Sequence, residues 1–154
     1  MYARYEKDFL SVNPDYLSIL IGINDVWLGI ELNEGTPPDK FAELYDEMLT
    51  RIENDMPQTK VMILEPFVLE GTATANNENF PHKWEDFSKQ VPVYRDMVKT
   101  AAYKHNVLFV PLQEAFDKAS AGTDNSLWLS DGVHPAPYGR ELIKREWLKA
   151  FNLL

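Results

Sequence analysis

Tyr16-Leu17-Ser18-Ile19-Leu20-Ile21-Gly22-Ile23-Asn24-Asp25 opens as a short, nearly continuous apolar run and breaks on glycine. Bounded upstream by Asn13-Pro14-Asp15, residues 16–21 fit a strand covered on both faces, as in a parallel sheet. Two further runs share this character, Lys60-Val61-Met62-Ile63-Leu64 and Val107-Leu108-Phe109-Val110. Helical patterns lie between them. Phe41, Leu44, Tyr45, Met48 and Ile52 recur at helical spacing behind Thr36-Pro37-Pro38-Asp39, which reads as a cap with an acidic first turn. Tyr94, Met97, Val98 and Ala101 form a second stripe, opening after Pro92, and residues 112–119 give a shorter helix. Pro135 or Pro137 opens a last helix, in which Ile143, Trp147 and Phe151 fall at i, i+4 and i+8. Residues 2–12 read as a helix that stops at Asn13-Pro14-Asp15. This alternation predicts right-handed βαβ crossovers and a parallel, three-layer α/β/α sandwich. Three strands are few for that architecture, and a helix leading directly into a covered strand reads as a start partway through a fold.

The chain of 154 residues is 45% apolar and 25% charged, which predicts one domain over residues 1–154, with no repeat and no linker. Its net charge of −9 opposes binding to a nucleic-acid backbone or an anionic membrane. The absence of cysteine excludes disulfides, thiol catalysis and thiolate metal sites, and suits a cytoplasmic location. No apolar signal core stands near Met1, and no run is long enough to span a bilayer. The long irregular stretch of residues 68–85 is either functional or mobile.

Chemistry concentrates in two places. Ser130-Asp131-Gly132-Val133-His134-Pro135 puts a carboxylate three residues before a loop histidine, so one short loop offers a general base and the group that orients it. The same residues also serve simply as a turn leading into a helix. Gly22-Ile23-Asn24-Asp25 follows the first strand, at the carboxyl end where open α/β sheets bind ligands. Asn24 there offers an N–H donor to an oxyanion, and Gly-x-Asn-Asp is equally ordinary turn chemistry. Asp25 reads as a cap or brace for this loop. Trp27 and Trp128 are candidate pocket walls, with Gly22, Asp25 and, at the end of the second strand, Glu65. His105, near a helix C-terminus, reads as structural, and His82 as a solvated loop residue near the site entrance. The three histidines are dispersed, so neither a metal nor a cofactor is indicated.

Together these stretches resemble the SGNH, or GDSL, esterase and lipase family. Gly22-Ile23-Asn24-Asp25 resembles its Gly-x-Asn-Asp block, and Asp131-Gly132-Val133-His134 its Asp-x-x-His block. Leu64-Glu65-Pro66-Phe67 and Phe109-Val110-Pro111-Leu112 resemble the bacterial branch that deacylates small esters and acetylated sugars. The resemblance implies a flavodoxin-like sheet lacking its first two strands, with His134 and Asp131 catalytic and Asn24 in the oxyanion hole. It also implies a truncated chain. The family's Gly-Asp-Ser block is absent, and no glycine precedes Gly22 to supply the second oxyanion donor. The chain alone is therefore expected to be inactive. The alternatives are a noncatalytic carbohydrate- or ester-binding module, or a half that assembles with a chain supplying the serine. A small ester or acetylated sugar is the expected partner. The bared edge of strand 16–21 is expected to pair with a second copy or an upstream segment.

Overall fold

The computed structural model describes residues 2–153. Three parallel strands, β1 (Tyr16–Ile19), β2 (Lys60–Leu64) and β3 (Leu108–Val110), form one sheet in the order β1-β2-β3. Tyr16 lies opposite Lys60, and Met62 opposite Leu108. Five α-helices accompany them: α1 (Ile23–Leu32), α2 (Pro38–Asp55), α3 (Lys83–Lys104), α4 (Gln113–Ser120) and α5 (Pro137–Phe151).

Alternation along β2 explains the layers. Val61 and Ile63 enter one apolar cluster with residues of α2 and α3, while Met62 and Leu64 enter another with Phe116 of α4 and Ala150 of α5. Successive side chains of a strand point to opposite faces, so a run apolar at every position needs a cover on both. α5 also reaches across β1, where the Trp147 indole donates to Ser18 Oγ at 2.8 Å and Phe151 packs on Tyr16. Among the described residues β1 pairs with β2 alone, and Tyr16 (49%) and Leu20 (40%) remain exposed. No helix of the described residues is long and apolar enough to cross a membrane.

The elements differ from the sequence expectation in three places. β1 ends at Ile19, and a whole helix, α1, begins at Ile23, so Asn24 and Asp25 occupy its first turn rather than a loop. Gly22 makes the junction at φ +121°, a conformation that costs a residue with a Cβ dearly. α3 starts at Lys83 and runs through Pro92 instead of opening after it. Its buried stripe of Phe87, Val91, Tyr94 and Val98 passes across the proline, and the carbonyl that loses its partner belongs to solvent-exposed Ser88. The N-terminal segment is a 3₁₀ turn (Tyr2–Arg4) and a π-helical turn (Glu6–Leu10) rather than one α-helix. It ends at Asn13 in the left-handed region.

Candidate active site

The segments that leave the carboxyl ends of β1 and β2, α1 and residues 65–82, both meet a third, the loop 121–136 between α4 and α5. The last of these carries Asp131 and His134. Asp131 Oδ1 accepts the backbone N–H groups of Val133 (3.0 Å) and His134 (2.8 Å), closing a tight turn. Its other oxygen, Oδ2, meets His134 Nδ1 at 2.7 Å. Burial pushes the Asp131 carboxyl upward, but the hydrogen bonds from His134 and Val133 outweigh it and hold the group below the ordinary aspartate range. A carboxylate on Nδ1 fixes the tautomer whose Nε2 is a bare acceptor. Nε2 has no hydrogen-bond partner among the described residues, and the imidazole is 67% exposed. The Nε2 lone pair is thus open to solvent.

The segment after β2 braces that loop. Leu69 N–H donates to Gly132 O (2.9 Å) and Ala73 N–H to Asp131 O (2.8 Å), while the fully buried Thr74 hydroxyl donates to Leu69 O (2.8 Å). The backbones approach so closely that a Cβ on Gly71 would lie 2.4 Å from the carbonyl carbon of Asp131. Residues 69–75 are therefore a rigid clasp on the Asp131–His134 loop. The spacing of Gly71 and Thr74 carried no sequence signal that identified it.

Trp27 stands beside His134, with ring centroids 5.9 Å apart. Gly22, Asn24 and Asp25 instead line a groove of about 580 Å³ next to β1, with Ala3, Arg4, Phe41, Tyr45 and Met48. Asn24 is exposed and its side-chain amide has no hydrogen-bond partner among the described residues. Asp25, in the first turn of α1, places its charge where the helix dipole favours it.

Two candidates serve the frame. Glu65 Oε2 accepts Leu112 N–H (2.7 Å) and Gln113 N–H (2.8 Å) at the start of α4, and Oε1 pairs with Arg95 at 3.4 Å. Replacing Glu65 by alanine strands two amide donors and a guanidinium. It is expected to lower the unfolding free energy by about 2 kcal/mol in urea titrations, with the Asp131–His134 geometry intact. Trp128 donates its indole N–H to Thr123 Oγ1 (2.9 Å) and packs on Tyr138 at the start of α5. It thereby frames the start of that helix. His105 is a strut: its nearly buried ring sits between Glu53 (2.9 Å) and Asp46 (2.8 Å) and pins the end of α3 to α2. His82 is exposed and immediately precedes α3.

A parallel α/β/α sandwich with a carboxylate-held histidine at the carboxyl edge of its sheet is a frame on which serine-type acyl hydrolases are built. The chain belongs to the GDSL-like lipase/acylhydrolase family, whose model matches residues 1–142. It is 30% identical to an acetylxylan esterase of Geobacillus stearothermophilus over 149 residues, which is 96% of this chain and 64% of that protein. The crystal structure of that esterase superposes with a TM-score of 0.77 at 28% identity, over 96% of this chain and 64% of the other. A GDSL-like protein from Parabacteroides merdae superposes with a TM-score of 0.86 at 30% identity, over 99% and 66%. The chain thus spans just under two thirds of the length of these relatives. Catalytic mutants of the Geobacillus esterase replace a serine, an aspartate and a histidine by alanine. That aspartate and histidine are three positions apart, as Asp131 and His134 are.

Proposed function

We propose that this chain supplies the histidine–aspartate half of an ester hydrolase that removes acetyl groups from sugars, with the serine carried on a segment outside these 154 residues. The observation that carries the reading is the 2.7 Å contact between Asp131 and His134 Nδ1, with Nε2 free and exposed. Among the described residues no serine is hydrogen-bonded to that nitrogen. Ser130 donates to His134 O, Ser18 accepts from Trp147, and Ser11, Ser88 and Ser120 donate to carbonyls on or next to their own helices. In the Geobacillus esterase the replaced serine lies further ahead of the aspartate than this chain extends ahead of Asp131.

In the assembled site His134 Nε2 takes the serine hydroxyl proton as its oxygen attacks the acetyl carbonyl. The carbonyl electron pair moves onto oxygen, where the Asn24 amide donates a hydrogen bond that strengthens as charge develops. The tetrahedral intermediate collapses with cleavage of the bond to the sugar oxygen, His134 gives its proton to that oxygen so that it leaves as a hydroxyl, and an acetyl-serine remains. Water, giving one proton to the same nitrogen, attacks that ester, and acetic acid leaves as the proton passes to the serine oxygen, ionising to acetate in solution. Asp131 holds the ring through both half-reactions and stabilises the imidazolium.

The outer edge of β1 is the place for the serine-bearing strand, since its hydrogen-bonding groups have no strand partner among the described residues. A second copy of the chain is the competing occupant. The test is co-expression with the serine-containing segment of the Geobacillus esterase. Turnover of p-nitrophenyl acetate that requires His134, with a one-to-one complex in light scattering, is expected. A homodimer that refuses the segment would place the second copy at that edge instead.

A further inference from the structure

His134 is held by one side-chain hydrogen bond, and the aromatic ring contacting it is Trp27. What fixes Trp27 is therefore part of what fixes the base. Phe87 meets the indole edge-on at 6.3 Å. Lys83, at the start of α3, puts its ammonium 5.9 Å from the same ring and 5.5 Å from that of Phe80. That side chain is only 5% exposed, and its amine bonds the carboxylate of Glu31 near the end of α1. A lysine so deep needs a counter-charge, and Glu31 is the carboxylate that provides it. The Lys83 bond chiefly, and the Trp27 indole more weakly, hold the Glu31 carboxyl below its ordinary range against the opposing effect of burial.

We propose that Lys83 and Glu31 are a positioning pair for the base: they lock the Trp27 indole between α1 and α3, and the indole in turn fixes the His134 ring on Asp131. The role assigned to His134 rests on the hydrolase reading, whereas the coupling between the two rings does not. Neither Lys83 nor Glu31 touches substrate. Their charges are balanced within the pair, so the wall beside His134 stays fixed without adding net charge next to the Asp131–His134 dyad. Lys83 also anchors the end of the segment 65–82, whose first half clasps the Asp131 loop, so the indole beside His134 and the loop that carries it are tied to the same connection.

The test uses the ¹⁵N-labelled chain and follows its four indole N–H resonances as His134 is titrated. The Trp27 resonance is identified by its loss in Trp27→Phe. Its shift is expected to track His134 protonation in the native chain and to be flat in His134→Ala. In Lys83→Met that response falls by about half or more, while Lys83→Arg restores it. The resonances of Trp128 and Trp147 report whether the fold survives. If Lys83→Met does not fold, Glu31→Gln, which keeps an acceptor for the indole and removes the counter-charge, is read in its place. An unchanged response in either folded variant, or none in the native chain, overturns the proposal. Intact coupling that depends on Lys83, beside absent ester hydrolysis in the complemented enzyme, sustains the pair and overturns the hydrolase reading instead.

Discussion

Asp131→Asn is expected to lower kcat of the serine-complemented enzyme by about 10⁴-fold with KM nearly unchanged. The geometry gives the reason. Asp131 Oδ2 receives the proton on His134 Nδ1, and that bond leaves Nε2 as the acceptor. An asparagine amide nitrogen at the same place donates, which favours the opposite tautomer and puts a proton on the nitrogen that must take one. Oδ1 would still accept from Val133 and His134, so the turn persists and the variant isolates the tautomer from the fold. Asp131→Ala removes both and is expected to lose stability as well. Because the native carboxyl is held below the ordinary aspartate range, Asp131 favours the folded state at neutral pH. That contribution is fully present above the unfolded value and is lost as pH falls through the depressed folded one. Acid titration of unfolding in the native chain and Asp131→Asn checks this, since the two curves should converge at low pH.

Gly132→Ala is expected to remove about 3 kcal/mol of stability and to disable the base together with the fold around it. Gly132 lies at φ +102°, and a Cβ there would sit 2.5 Å from Leu69 O and 2.6 Å from Thr74 Oγ1. The obstacle is largely backbone that is itself hydrogen-bonded to Gly132, so relief means parting residues 69–75 from the Asp131–His134 loop. Gly122 provides the control. Its φ is +77° but a Cβ would meet nothing within 4 Å, so Gly122→Ala should cost only about 1 kcal/mol, the conformational part alone. Urea midpoints of the two variants separate strain from overlap. Equal losses would mean that the clasp is softer than its distances imply.

The parts of this molecule legible in the sequence were those in which one local pattern determines one element. β2 is legible because a doubly covered strand must be apolar at every position, and Val61 to Leu64 divide between two clusters accordingly; β1 pairs as a strand too, but Tyr16 and Ser18 on one face stay exposed. The Asp131–His134 pair was legible because its partners are three residues apart and close their own turn. α1 is hard to see in the sequence, although Ile23, Val26, Trp27 and Ile30 have helical spacing, because Gly-x-Asn-Asp also spells a turn. Pro92 locally spells a helix opening after it, yet tertiary burial of the stripe on either side carries α3 across the proline. Glu65 stands after a strand, and nothing local reveals that it accepts amides 47 and 48 residues away. The Lys83–Glu31 pair, 52 residues apart in sequence, and the clasp of residues 69–75 were invisible for the same reason. Each exists only once distant segments meet.

Whether these residues hold a base without its nucleophile is tested by p-nitrophenyl acetate hydrolysis by the 154-residue chain beside His134→Ala. The same background rate is expected in both. Saturable turnover by the chain that disappears in His134→Ala would contradict it, placing a working nucleophile within these residues.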